Sequence, residues 1–283
     1  MTQIIPQIDH VVITVSDKLE QAYLQYQKLG FTMTPRGHHS LGTSNNLAIF
    51  GTTYLELLGY ESQNTSKVDT SWRFDDGLTG LVFKTQDAES LYQSLIASGI
   101  KVEGSAPKSF FRPVELNDGT CPEARFKTVR LDPTYTPNGQ IFFCDQLTPE
   151  LIWRKEWQNH ANGVINIKEV IIEATDPAKS INLLKKTFST ANIVDIEGGL
   201  RLIAEDKQID YLHPTFTKKI FGSSLTKSNN LQDRKVALAF KTHSLSQTQK
   251  ALKSGCISFI TQQNSIIVPA SETLGVVMIF KEK

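Results

Sequence analysis

The sequence is poor in cysteine, has almost no charge excess and contains no long hydrophobic run. Three cysteines in 283 residues, Cys121, Cys144 and Cys256, are odd in number and far apart, which excludes a disulfide framework. With no Cys-x-x-Cys pair among them, a zinc knuckle is excluded too, and they read as free thiols of a reducing compartment. Thirty basic against 29 acidic residues leave a formal charge of +1. That balance argues against a nucleic-acid-binding or membrane-binding surface while leaving room for a local basic pocket. Charged or polar residues interrupt every apolar stretch, and the opening MTQIIPQIDHVVITV has no basic segment ahead of its apolar residues. No membrane span or signal peptide is expected, and the default location is the cytoplasm. Nucleotide-binding glycine patterns and a Gly-x-Ser-x-Gly elbow are also missing.

What the chain does contain is a repeat. Four segments share a strand followed by a capped helix: DHVVITVSDKLEQAYLQYQKLG, TGLVFKTQDAESLYQSLIASG, KEVIIEATDPAKSINLLKKTF and KVALAFKTHSLSQTQKALKSG. Asp17, Asp87, Asp176 and Ser244 are the expected N-caps, with Glu20 completing a capping box and Pro177 at a first helical position. Gly30, Gly99 and Gly255 are expected as left-handed C-caps. Three short β-like runs follow each helix, GFTMTP, NLAIFG and YLELLG in the first case, so each unit reads βαβββ and the fold class is α+β. The cap spacings leave an extra stretch, 147–165, that carries two of the three tryptophans. It reads as a packed bridge between a first module, 1–146, and a second, 166–283.

Paired βαβββ units opening on DHVVITVSD resemble the vicinal-oxygen-chelate superfamily, which includes glyoxalase I, extradiol dioxygenases and the bleomycin-binding proteins. Within it, the His-x-x-Gly-Thr-x-Asn segment at 39–45 followed by the Tyr-Leu-Glu-Leu strand at 54–57 resembles the glyoxalase-like domain family. The first module carries this resemblance; the second shares only the unit pattern. The resemblance implies two tandem modules, each a mixed sheet curled into a cup with helices outside. It also implies a metal site at four inner-face positions: the start of the first strand and the middle of the fourth, in each unit.

In the first unit those positions are His10 and Glu56, which gives the carboxylate in so apolar a strand a partner. Both are ordinary metal-ligand types, and both suit acid–base chemistry. The second unit places Gly80 and Phe143 at the other two positions, leaving two ligands where a stable site needs three or four. The expectation is therefore no tightly bound cofactor, and at most a divalent metal held weakly by His10 and Glu56. In the second module the corresponding residues are Glu169, His213, Ala237 and Ile279, with Glu169 read as a solvated charge and His213 as a loop residue. Around the first cup the candidate substrate-binding residues are Arg36, His38, His39 and Asn45 on the glycine-punctuated loop 35–46. Trp72 on the stretch 60–78, Phe111 and Arg112 on the long segment 104–124, and Phe143 complete the set. The partner expected is a small polar or anionic molecule, and the protein is read as an enzyme of lyase, isomerase or dioxygenase type, or else as a ligand-sequestering protein. A monomer and a homodimer both fit.

Overall fold

The computed structural model of the protein describes residues 4–61, 75–116, 118–136, 138–188, 190–226 and 232–282. Each repeated segment opens as read: β1 (Ile8–Ser16) with α1 (Leu19–Lys28), β5 (Gly77–Thr85) with α2 (Ala88–Ala97), β9 (Val164–Glu173) with α3 (Pro177–Thr187), and β13 (Arg234–Thr242) with α5 (Leu245–Ser254). The units are completed by β2 (Gly37–His38), β3 (Ser44–Ile49) and β4 (Tyr54–Gly59), and by β6 (Lys108–Pro113), β7 (Glu123–Arg130) and β8 (Gln140–Gln146). Then follow β10 (Asn192–Ile196), β11 (Gly199–Ala204) and β12 (Lys207–Leu212), and β14 (Ile260–Gln262), β15 (Ser265–Val268) and β16 (Val277–Glu282). Among the described residues one α-helix, α4 (Pro214–Phe221), stands outside the repeat. No helix among the described residues is long and apolar enough to cross a membrane.

Three of the four caps form as expected: the side chains of Asp87, Asp176 and Ser244 accept from the backbone N–H of Ser90, Lys179 and Gln247. Asp17 does not cap α1, which starts one residue later after Lys18, while Glu20 pairs instead with Arg36 at 2.8 Å. Gly30 and Gly99 adopt positive φ, but at the end of α5 the left-handed residue is Cys256. Gly255 is needed for another reason: a Cβ there would lie 1.9 Å from the Lys28 carbonyl oxygen, so only glycine lets α5 approach α1.

The strands form two mixed eight-stranded sheets of identical order, β2-β3-β4-β1-β5-β8-β7-β6 and β10-β11-β12-β9-β13-β16-β15-β14. Within each unit the first strand runs parallel to the fourth, and the two units of a sheet join antiparallel through β1–β5 or β9–β13. The first sheet curls until its ends touch: Ser40 N–H donates to the Phe111 carbonyl at 2.8 Å, and Phe111 N–H donates to Ser40 Oγ at 3.2 Å. The segment 104–124, expected as a loop, thus contains a strand, and the expected strand at 30–35 is irregular.

The helix-side faces of both sheets merge into one core. Phe31 and Phe50 of the first module meet Phe240 at 5.6 and 5.8 Å, and Phe31 meets Phe280 at 6.4 Å between ring centroids. The opposite faces form two separate apolar clusters, one per cup. The second cup is filled from within: Phe221 of α4, backed by Phe216, Ile220 and Leu225, packs on Ile171, Ala237 and Ile279. The tryptophan-bearing stretch packs against the first cup, with Leu151 and Ile152 buried and Trp153 and Trp157 half-buried beside them.

Candidate functional site

A β-bulge shapes the floor of the first cup. In the β1–β5 ladder Ile8 pairs with Phe83 and His10 with Val82, so Asp9 is an extra residue opposite none. Ile8 and Val11 still face the helix-side core. Bulges re-aim side chains in this way, and here two adjacent residues converge: His10 Nδ1 lies 2.7 Å from Asp9 Oδ2, both side chains buried. The Asp9 carboxylate accepts the Nδ1 proton and so leaves Nε2 open toward the cup. The imidazole stacks on Tyr54 at 4.3 Å, with planes 10° apart, and meets the edge of Phe142 at 5.7 Å. Gln146 Nε2 also donates to Asp9 Oδ2 at 2.9 Å and to the Tyr54 hydroxyl at 3.2 Å.

Glu56 faces this imidazole from β4, as the sequence led us to expect. Its Oε2 is 3.6 Å from His10 Nε2, while Oε1 accepts from Asn45 Nδ2 at 2.6 Å. The same Asn45 amide lies 3.0 Å from His39 Nε2, and His39 Nδ1 lies 2.7 Å from Thr43 Oγ1. His39 is therefore a neutral ring that accepts at Nε2. Burial, reinforced by the positive charge of Arg112, brings its pKa down to about 3.

Arg112 supplies the strongest unmet demand in the cup. It is 3% exposed, and among the described residues its Nε and Nη2 have no hydrogen-bond partner. Burial lowers its pKa, an effect opposed by the nearby Glu56 carboxylate. It packs closely over β2: a Cβ on Gly37 would sit 2.6 Å from Arg112 Nη1 and 2.5 Å from Asn45 Oδ1, so a side chain there would have to displace both groups. Arg130, Thr128, Phe110, Phe126 and Cys144 are among the residues that line the rest of this tight cavity, of about 40 Å³. Phe110 and Phe126 stack at 5.0 Å, and burial raises the Cys144 thiol well above its usual pKa.

The cup thus unites His10, Glu56, His39, Asn45 and Arg112 among the expected residues. Others are placed elsewhere. Phe143 faces the shared core, 5.7 Å from Phe83 and 5.9 Å from Phe188, and Phe142 takes the cup position. Register explains the shift by one: Val12 pairs with Glu56, and its counterpart Val82 pairs with Phe142. Phe111 alternates away from Phe110 and Arg112 on β6 and lies under the Arg125 guanidinium at 5.7 Å. Arg36 is held outside the cup by Glu20, Glu61 and Asn46, and His38 is exposed on β2 with Nδ1 2.9 Å from Ser44 Oγ. Trp72 lies outside the described residues. Asp9, Arg130 and Tyr54 join the site although the sequence reading did not choose them. Asp9 stood beside His10 in DHVVITVSD, but simple alternation would have sent it to the other face.

In the second cup the pairing puts Asp210, not His213, at the counterpart of Glu56: Asp210 pairs with Ile171 as Glu56 pairs with Val12. His213 instead caps α4. Glu169 is buried, not solvated, and lies 2.7 Å from Lys281 and 3.5 Å from Arg201, whose guanidinium grips Asp210 through two bonds of 2.6 Å. These charges satisfy one another.

Two tandem curled sheets of βαβββ units, with a polar floor in the first, define a vicinal-oxygen-chelate fold. The sequence model of the glyoxalase-like domain matches residues 8–188, and the chain belongs to that family. No curated protein matches the sequence. Among solved structures, a hypothetical protein from Staphylococcus aureus superimposes with a TM-score of 0.68 at 13% identity, covering 98% of this chain and 99% of that one. A mutant of 4-hydroxymandelate synthase from Streptomyces coelicolor gives 0.55 at 12% identity, over 99% of this chain and 93% of that one. A fusion of a xylose isomerase-like TIM barrel with 4-hydroxyphenylpyruvate dioxygenase gives 0.58 at 10% identity, over 99% of this chain and 49% of that one.

The metal that this fold holds elsewhere does not fit the donor set here. A side chain at Gly80 has no room, since a Cβ would fall 2.5 Å from Val12 Cβ, and Phe142 offers no donor at the fourth position. The lone pairs of Glu56 Oε1 and His39 Nε2 face the Asn45 amide, and the guanidinium groups of Arg112 and Arg130 line the same space. Among the described residues no group of three His, Cys, Asp or Glu side chains is arranged to hold a metal. His10 Nε2 and Glu56 Oε2 alone fall short of the usual coordination.

Proposed function

We propose that the protein is an enzyme that binds a small organic anion in the first cup and transfers a proton on it through His10. The observation that carries this reading is the buried Arg112, whose two unpartnered nitrogens lie in a cavity that also contains a base. A guanidinium taken out of water with donors unmet is costly, and a ligand carboxylate would supply the missing acceptors. Arg130 would share the anion's charge, and neutral His39 with Asn45 would fix a polar substituent. The Asp9–His10–Glu56 row gives an imidazole oriented by one carboxylate and facing another, which suits removal and return of a proton beside the bound carboxylate. Apolar walls from Phe110, Phe126 and Phe142 would exclude water around that step.

The test is a panel of small mono- and dicarboxylates read by thermal shift and calorimetry. The best binder is then followed by NMR for exchange of its carbon-bound hydrogen in deuterium oxide. Arg112→Ala should weaken the binder by about 1.5–3 kcal/mol, the range for a hydrogen bond to a charged group. His10→Ala should abolish exchange while binding persists. Failure of every carboxylate to bind the wild type would refute the reading. Tight binding without exchange or any other turnover would favour the second reading, sequestration, to which Gly80 and Phe142 at the vanished ligand positions lend support.

A further inference from the structure

We infer that a groove behind the Asp9–His10 pair is a second binding site, for an organic cation carrying N–H donors such as a primary ammonium or guanidinium group. The inference is independent of what the cup binds. The groove is separated from the cup by Cys144 and by the Gln146–Tyr54 contact, and its volume is about 890 Å³. Asp9, Lys84, Asp87, Asp145 and Trp153 are among its lining residues.

Three buried polar atoms on its lining residues have no partner among the described residues: Asp9 Oδ1, Gln146 Oε1 and Trp153 Nε1. Asp9 is the decisive one, because it is 0% exposed and only its Oδ2 is used, by His10 and Gln146. A buried carboxylate oxygen left bare costs free energy that a charged N–H donor would recover. Asp9 Oδ1 and Gln146 Oε1 are both acceptors, the complement of the several N–H donors of a guanidinium or an ammonium. The other lining carboxylates are already employed at α2, where Asp87 accepts from Ser90 N–H and Asp145 from Ala88 N–H at 3.2 Å, so they offset that helix's positive end. The chain itself shows that a cation is accommodated here: Lys84 Nζ sits 4.9 Å from the centroid of the Trp153 ring. A ligand cation would take that ring face and reach Asp9, drawing on the same carboxylate that orients His10.

Agmatine, which has both an ammonium and a guanidinium end, is the probe, with neutral butylurea and sodium chloride of matched ionic strength as controls. The indole N–H resonance of Trp153, assigned by its loss in Trp153→Phe, reports occupancy. Agmatine should shift it saturably and the controls should not. Asp9→Asn should weaken the response about tenfold, the equivalent of one charged hydrogen bond. Lys84→Met, which removes the competing cation, should tighten it about threefold. Arg112→Ala, confined to the cup, should leave it unchanged, so loss of anion binding and loss of cation binding are told apart. An unsaturable shift, an equal shift with sodium chloride, or an Asp9→Asn variant that binds agmatine as the wild type does would overturn the assignment. Should Asp9→Asn fail to fold, a Lys84→Met protein that binds no more tightly would overturn it as well.

Discussion

Arg112→Met should make the ligand-free protein more stable while removing its hold on anions. In the native state the guanidinium is buried with Nε and Nη2 unpartnered. Each unsatisfied donor costs about 1–3 kcal/mol, so the two together cost about 2–6 kcal/mol. Against this stands the attraction of Glu56, which is worth about 1–3 kcal/mol at the effective dielectric of such sites. Methionine keeps an unbranched apolar stem in the cup and leaves Glu56 still bonded to Asn45. The net gain should be about 1–3 kcal/mol, in the range seen when buried charges give way to apolar residues. For a chain of this size that raises the melting temperature by about 2–6 °C. Urea unfolding and calorimetry on both proteins measure the difference directly. Adding a carboxylate that binds the wild type should narrow or reverse the gap, because only the wild type gains from the ligand. A Met variant less stable than wild type by more than about 1 kcal/mol would refute the reasoning, since it would mean that the native guanidinium is already satisfied.

Two further outcomes follow from the same site. The His39 pKa of about 3 lies below its ordinary 6.5, so the unfolded chain binds the additional proton between those values. The contribution is whole above about pH 6.5 and is lost as pH falls, by up to about 2 kcal/mol at pH 5; His39→Gln should show a correspondingly shallower loss in urea melts at pH 7 and pH 5. Gly80→Ala forces a Cβ to within 2.5 Å of Val12 Cβ and should cost about 1–3 kcal/mol. Gly80→His should unfold the protein sooner than create a zinc site, and a folded variant with one equivalent of zinc would contradict the steric argument.

The repeat and most caps were legible because each rests on local chemistry, and the His10–Glu56 pairing because the resemblance to the vicinal-oxygen-chelate superfamily implied it. Two of the misplacements in the cup come from a residue inserted or miscounted in a strand. Asp9 escaped because a bulge puts it beside His10, against the alternation that would have sent it to the opposite face. Phe143 was chosen over Phe142 because a glycine-based count does not see the parallel pairing of β5 with β8. Phe111 was grouped with Arg112 because the segment was read as a loop; as a strand it can present only one of two neighbours to the cup. The filling of the second cup was hidden for a different reason. The eight residues of α4 have too few turns for a clear apolar period, although His213 followed by Pro214 is a helix start.

The phenylalanine contacts between the two sheets also decide how this protein behaves on dilution. A lone first sheet would present Phe31 and Phe50 to water and would need a second sheet to cover them. In this chain that cover is tethered, so its effective concentration is fixed by the connecting segment and does not depend on how much protein the cell contains. The first cup should therefore keep its shape at nanomolar concentrations at which a dimer of single sheets would separate. The second sheet, needed as cover, is under no obligation to keep a cavity, and the helix lodged in it is consistent with that release.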